Sequence, residues 1–262
     1  MLIFSSEPFE NSLELKLTGM TEIKQLLKDF ERFAHGQHLH SAFTELLDWM
    51  LLPFKKYNTI EEQNHALETY RTHPKVTQLT TLITLIGDLS ENFQDPLGEL
   101  YMQSISNGHN GQYFTPTPIC EMISVMSIND NRDKTETILD PACGSGRMLL
   151  AAAKMNRHNT FFGADLDGIC CKMALVNLLL NSLQGEIAHM NSLSNEFYTG
   201  YKVNTTLVNG YHMPYYKEFT TPEMTYIWLK PNRKVEVKSA FNTPFEPVNA
   251  SKTIIAIQGS LF

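Results

Sequence analysis

Asp140-Pro141-Ala142-Cys143-Gly144-Ser145-Gly146 decides the fold of this chain. It follows the apolar run Thr137-Ile138-Leu139 and precedes Arg147-Met148-Leu149-Leu150-Ala151-Ala152-Ala153-Lys154, which predicts a strand, a glycine turn and a helix. Gly144 and Gly146 permit backbone dihedrals closed to other residues and a close approach to a ligand, and the helix behind them starts with unpaired N–H groups. A small polar ligand can therefore lie against bare backbone. The turn lacks both the third glycine of the dinucleotide fingerprint and the Gly-Lys-Ser/Thr of a phosphate loop.

Strands and helices alternate around this turn, the pattern of an α/β doubly wound sheet. Pro116 to Ile128 reads as a helix and Asn129 to Lys134 as a polar loop. Thr160 to Asp165 is the second strand, and Asp167 to Leu183 the second helix, with Met173, Val176, Leu179, Leu180 and Leu183 on its buried stripe. Gly185 to Met190 is the third strand, ending at Asn191, and Thr205 to Val208 the fourth, ending at Asn209. Asp140, Asp165, Asn191 and Asn209 are thus expected along one edge of the sheet, where ligands of open α/β sheets bind. Thr225 to Leu229, Val235 to Lys238 and Thr253 to Ile257 are strand-like and can complete it.

Upstream, apolar residues recur at helical spacing from Thr21 until Gly36, from about Ser41 to Pro53, from Ile60 to Thr72 and from Val76 to Phe93. Residues 1 to 17 read as a short edge segment or a flexible start. We therefore expect a helical N-terminal region over residues 1–94 and a sheet domain over 95–262.

Net charge is −7, which argues against a protein that grips nucleic acid over its whole surface. Residues 1–200 carry 14 basic and 24 acidic side chains, whereas 201–262 carry 7 and 4. Lys230, Arg233, Lys234 and Lys238 concentrate the excess, as a phosphate-binding patch or as a solvated face. The absence of a membrane-length apolar run and of a basic leader leads us to expect a cytoplasmic protein. Cys120, Cys143, Cys170 and Cys171 lack the spacing of a zinc site or a disulfide framework, and read as reduced buried thiols. No metal site is expected, since His35, His38 and His40 have no acidic or cysteine partner at ligand spacing.

A second stretch, Gly111-Gln112-Tyr113-Phe114-Thr115-Pro116, together with Asp140 to Gly146, resembles the N6-adenine DNA methyltransferases, and in particular the modification subunits of type I restriction systems. The likeness extends upstream to Asp95-Pro96-Leu97-Gly98-Glu99-Leu100-Tyr101 and downstream to about Ser192. It implies a Rossmann-like S-adenosylmethionine (SAM)-dependent methyltransferase sheet. The cofactor set it implies is Gln112, Tyr113, Phe114, Thr115, Asp140, Ala142, Cys143, Gly144, Gly146, Asp165, Leu166, Asn191 and Ser192. Within it, Asp165 would accept the ribose hydroxyl protons or else cap the next helix, a task open to Asp167 as well. The side-chain oxygen of Asn191 would accept the adenine amino group. Phe114 and Thr115 would cover the methionine end, and Asp140 with the backbone near Gly144 would meet its amino and carboxyl groups.

Such enzymes hold the target adenine with an Asn/Asp-Pro-Pro-Tyr/Phe turn, whose oxygens accept the amino protons while the ring stacks on a base flipped from double-stranded DNA. This chain has Leu207-Val208-Asn209-Gly210-Tyr211-His212-Met213-Pro214-Tyr215-Tyr216 at the matching place. Aligned on the strand it keeps only Asn209, and aligned on the Pro-Tyr it loses the Asn. Asn209, Tyr211, Pro214 and Tyr215 are the candidate catalytic residues. Two readings stand: a DNA adenine-N6 methyltransferase or a subunit of one, and an inactive methyltransferase-like protein serving as a SAM-binding or structural subunit. Sequence specificity would come from a partner subunit. Gln258-Gly259-Ser260-Leu261-Phe262 resembles the peptide by which bacterial proteins dock on the replication sliding clamp, or else ends the last strand.

Overall fold

The structure, a computed structural model, describes residues 21–106, 113–128, 134–229 and 254–256. Residues 1–17, Gln112, most of the loop at 129–134, the basic cluster from Lys230 to Lys238 with the expected strand Val235 to Lys238, and the peptide Gln258 to Phe262 fall outside this description.

Four helices open the described chain: α1 at 21–33, then α2 (Leu39–Leu51), α3 (Ile60–Thr72) and α4 (Val76–Leu89). Helix α3 is capped as its sequence dictates, with Thr59 Oγ1 accepting from the Glu62 N–H. Helix α2 starts two residues ahead of Ser41, with His38 at its cap position. Helix α4 stops short of Phe93 because Asn92 and Phe93 take positive φ. Two further helices, α5 (Pro96–Tyr101) and α6 (Thr117–Ser127), lead to the sheet.

The sheet contains β1 (Thr137–Asp140), β2 (Thr160–Asp165), β3 (Gln184–Asn191), β4 (Glu196–Val208), β5 (Tyr211–Phe219) and β6 (Ile254–Ala256), in the order β5-β4-β3-β2-β1-β6. Strands β6, β1, β2 and β3 are parallel, and β4 and β5 fold back antiparallel. Helices α7 (Arg147–Met155) and α8 (Gly168–Leu180) cross between the first three strands. Helix α8 is buried on nearly every side, not only along the expected stripe, because it lies between the sheet and α2. One apolar cluster runs from Leu26 and Phe30 through Leu46 and Ile86 to Leu175, Ile187 and Tyr216, so the helical region and the sheet share a core. All four cysteines are free and buried in it or at its edge.

Two expectations are corrected. Thr205 to Val208 is not a separate fourth strand aimed at the ligand edge; it is the far end of β4, which runs the other way. Asn209 and Gly210 take φ of +51° and +84°, the two positive values of a tight hairpin turn, and β5 returns in register with Val208 opposite Tyr211. Thr225 to Leu229 forms no strand either. It crosses the face of the sheet opposite α8: the Tyr226 N–H goes to the Glu186 carboxylate, and Ile227 and Trp228 cover Ala164, Ala188 and Met190.

Candidate cofactor site

Asp140, Asp165 and Asn191 end three neighbouring parallel strands, so the sheet itself brings them to one edge. The turn between β1 and α7 is stitched to that edge through its backbone. The Cys143 N–H donates to Ala164 O at 2.9 Å, and the Gly146 N–H to Cys143 O at 2.7 Å. The Gly144 N–H reaches Asp165 Oδ2 at 2.8 Å, and Ser192 Oγ donates to Pro141 O at 2.7 Å. Gly144 has φ +53°, and a Cβ there would stand 2.9 Å from the Phe114 ring. Only glycine fits beneath Phe114. Phe114 is in turn stacked on Tyr101, with ring centroids 5.8 Å apart. Tyr113 beside it is exposed. The Thr115 carbonyl accepts from Arg147 Nη1.

Burial governs the charges here. Asp140 is 1% exposed, and desolvation pushes its carboxyl up to about 7 despite a hydrogen bond from the Ala142 N–H. Asp165 is also raised by burial, opposed by the Asp167 and Gly144 N–H groups. Among the described residues, Asp165 Oδ2 accepts from the Gly144 N–H and Oδ1 from the Asp167 N–H, so lone pairs remain for two hydroxyl donors. The cap of α8 is Asp167, whose Oδ1 accepts from the Ile169 N–H at 2.8 Å, and this leaves Asp165 facing the turn.

Asn191 differs from expectation. Its Oδ1 accepts from both the Leu193 and Ser194 N–H groups, at 3.0 and 3.1 Å, so its acceptor capacity is spent on its own turn. The group it retains is the amide NH2, a donor. His189, not singled out in the sequence, lies 3.0 Å by Nε2 from the carbonyl of the exposed Leu166 and packs on the Tyr198 ring. It thereby fixes the backbone just after Asp165.

The largest omission of the sequence reading is Asp95. Buried at 6% exposure, it caps α5 through the Gly98 N–H and accepts from Ser145 Oγ, Arg147 Nε and Asn177 Nδ2. Asn177 also donates to Ser145 O. One carboxylate thus ties α5, the glycine turn, α7 and α8 together. The local signal was Asp-Pro at a helix start, which predicts a cap but not its remote partners.

Asn209, Tyr211, Pro214 and Tyr215 do not join this edge. Glu196, opposite Asn191, and Val208, beside Asn209, stand at opposite ends of β4; twelve residue steps of strand separate them by about 40 Å. Pro214 and Tyr215 pair with Thr205 and Asn204, near the start of β3. The expected placement of these four beside the cofactor set is therefore corrected.

The chain is 25% identical over 175 residues to the type I restriction enzyme MpnII methylase subunit of Mycoplasma pneumoniae, covering 61% of this chain and 32% of that protein. It is 26% identical over 155 residues to the EcoKI methylase subunit of Escherichia coli, covering 48% and 28%. The chain thus spans about a third of the length of these relatives. Among solved structures, it is similar to the methyltransferase subunit of a type I restriction-modification system from Streptococcus thermophilus, at 19% identity and a TM-score of 0.30, over 58% of this chain and 39% of that one. The model of the N-6 DNA Methylase family matches residues 92–234, more than half of the sequence, and the chain belongs to that family.

Proposed function

We propose that the chain binds SAM at the carboxyl edge of β1, β2 and β3 and serves adenine-N6 methylation of DNA as a cofactor-binding subunit. The observation that carries this reading is the pairing of the bare backbone at Gly144 with the carboxylate of Asp165 beneath Phe114. Asp165 takes the ribose hydroxyls, Asp140 the amino group of the methionine end, and Phe114 with Thr115 and Tyr113 covers it. Ala142, Cys143 and Gly146 shape the turn, Leu166 and Ser192 flank the adenosine, and Asn191 donates to the adenine ring. SAM supplies an electrophilic methyl on its sulfonium, whose transfer to adenine N6 leaves S-adenosylhomocysteine.

Adenine N6 is a weak nucleophile and needs acceptors for its two protons. Asn209 sits on the hairpin at the far end of the sheet, which favours a subunit whose target-base residues come from outside the described residues, including a specificity or partner subunit. A calorimetric titration of the purified chain with SAM tests the reading. Micromolar binding that Asp165→Ala weakens is expected, and no binding at millimolar ligand sinks it. Methyl transfer to adenine-containing double-stranded DNA, with and without a partner subunit, then separates the active and inactive forms.

A further inference from the structure

The face of the sheet turned away from α8 carries a cavity of about 370 Å3 that the cofactor reading does not use. Its floor is one row across four strands: Phe162 is in register with Glu186, Glu186 with Lys202, and Lys202 with Lys217. Thr160, Gln184, Asn204 and Tyr215 form the next row, and Lys56 and Tyr226 close the sides. Thr160 and Gln184 begin their strands, whereas Asp165 and Asn191 end theirs, so this cavity lies at the other edge from the candidate cofactor site.

Its chemistry is unusual for a chain of net charge −7. Lys56, Lys202 and Lys217 make no ion pair among the described residues, and Lys202 and Lys217 stand directly opposite each other on β4 and β5. Like charges in that position destabilise a sheet. Glu186 faces only Lys202 among them: it is buried, burial raises its pKa against the pull of Lys202, and its Oε1 already accepts from Thr225 Oγ1 and the Tyr226 N–H. Its Oε2 is buried and has no hydrogen-bond partner among the described residues. Around these groups stand flat faces. Tyr226 is 83% exposed with its ring 5.5 Å from Phe162, and Lys56 lies over the Tyr215 ring. The Lys56 N–H is held by Tyr216 O at 2.8 Å, so the helical region itself presents this lysine.

We infer that the cavity binds a nucleotide, with its phosphate among Lys56, Lys202 and Lys217 and its base against the exposed ring of Tyr226. The three cations make no ion pair among the described residues, so their charge is available to phosphate. Aromatic faces beside lysines are the means by which proteins hold nucleotides without reading sequence. This inference does not rest on SAM binding, because the two sites share no residue. The same chemistry suits a free nucleotide or one nucleotide of a single strand.

The test titrates the full chain, with and without excess S-adenosylhomocysteine, against adenosine 5′-monophosphate, inorganic phosphate and a single-stranded deoxyadenosine oligomer. Adenosine monophosphate should bind at least tenfold more tightly than phosphate. Lys217→Gln should weaken it tenfold or more, and Tyr226→Ala several-fold, with Lys217→Gln leaving the thermal midpoint at or above the parent's. An oligomer that binds more tightly than the monophosphate, with loss in the same variants, identifies a strand as the source; equal affinity identifies the free nucleotide. Phosphate binding as well as the monophosphate, no binding of any probe, or monophosphate binding untouched by both variants overturns the inference.

Discussion

Ser145 Oγ donates to Asp95 Oδ2 at 2.6 Å, joining the glycine turn to the cap of a helix fifty residues earlier. Because Arg147 Nε shares that oxygen at 3.0 Å, the turn and the helical region are held by one buried charge.

Asp95→Ala should therefore destabilise the chain by about 3–5 kcal/mol, since it leaves the Arg147 guanidinium without its buried partner. Glu99 stays paired with Arg147 through Nη2 but is only partly buried, and cannot replace it. Urea unfolding measures this, and a loss below about 1 kcal/mol would place the cluster in solvent instead.

Asp165→Ala should weaken SAM binding by roughly 1–3 kcal/mol through unmet ribose hydrogen bonds. The substitution also frees the Gly144 and Asp167 N–H groups, so calorimetry is to be read beside a thermal melt. Unchanged affinity removes Asp165 from the site.

Asp140 should make stability depend on pH. The unfolded chain releases this proton near 3.8 and the folded chain only near about 7, so between those values the folded state holds more protons. Its contribution is complete below the lower value and is lost as pH rises through the upper one, a decline on the order of a few kcal/mol at most. Unfolding in urea at about pH 5 and about pH 7.5 should show it, and Asp140→Asn should flatten it.

Asn209→Ala should cost about 1–2 kcal/mol, the penalty of placing a residue other than Gly or Asn in left-handed backbone. SAM affinity should not change, because the hairpin lies at the far end of β4. A lost titration with an intact fold would return Asn209 to the cofactor edge.

Much of the architecture was legible in the sequence because its signals are local. The periodicity of residues 60–72 sets α3, the apolar run before Asp140 sets β1, and the glycines set the turn that follows. The family was legible too, since its motifs lie on contiguous residues. Asn209-Gly210 was also a local signal, that of a hairpin, but resemblance to a catalytic turn competed with it. What one segment could not reveal is its pairing partner, and β4 lies antiparallel to β3 on that account.

By itself, then, the sequence determined the strand-turn-helix at Asp140 to Gly146 and the polar ends of β1, β2 and β3, because dihedral freedom and hydrophobic period belong to neighbouring residues. Only the tertiary structure decided that Asp95 anchors the turn, that the oxygen of Asn191 is spent, that Asn209 stands far from the cofactor edge, and that three lysines line one cavity with Glu186. Burial, strand direction and charge encounter depend on residues distant in the chain, and no stretch of sequence carries them alone.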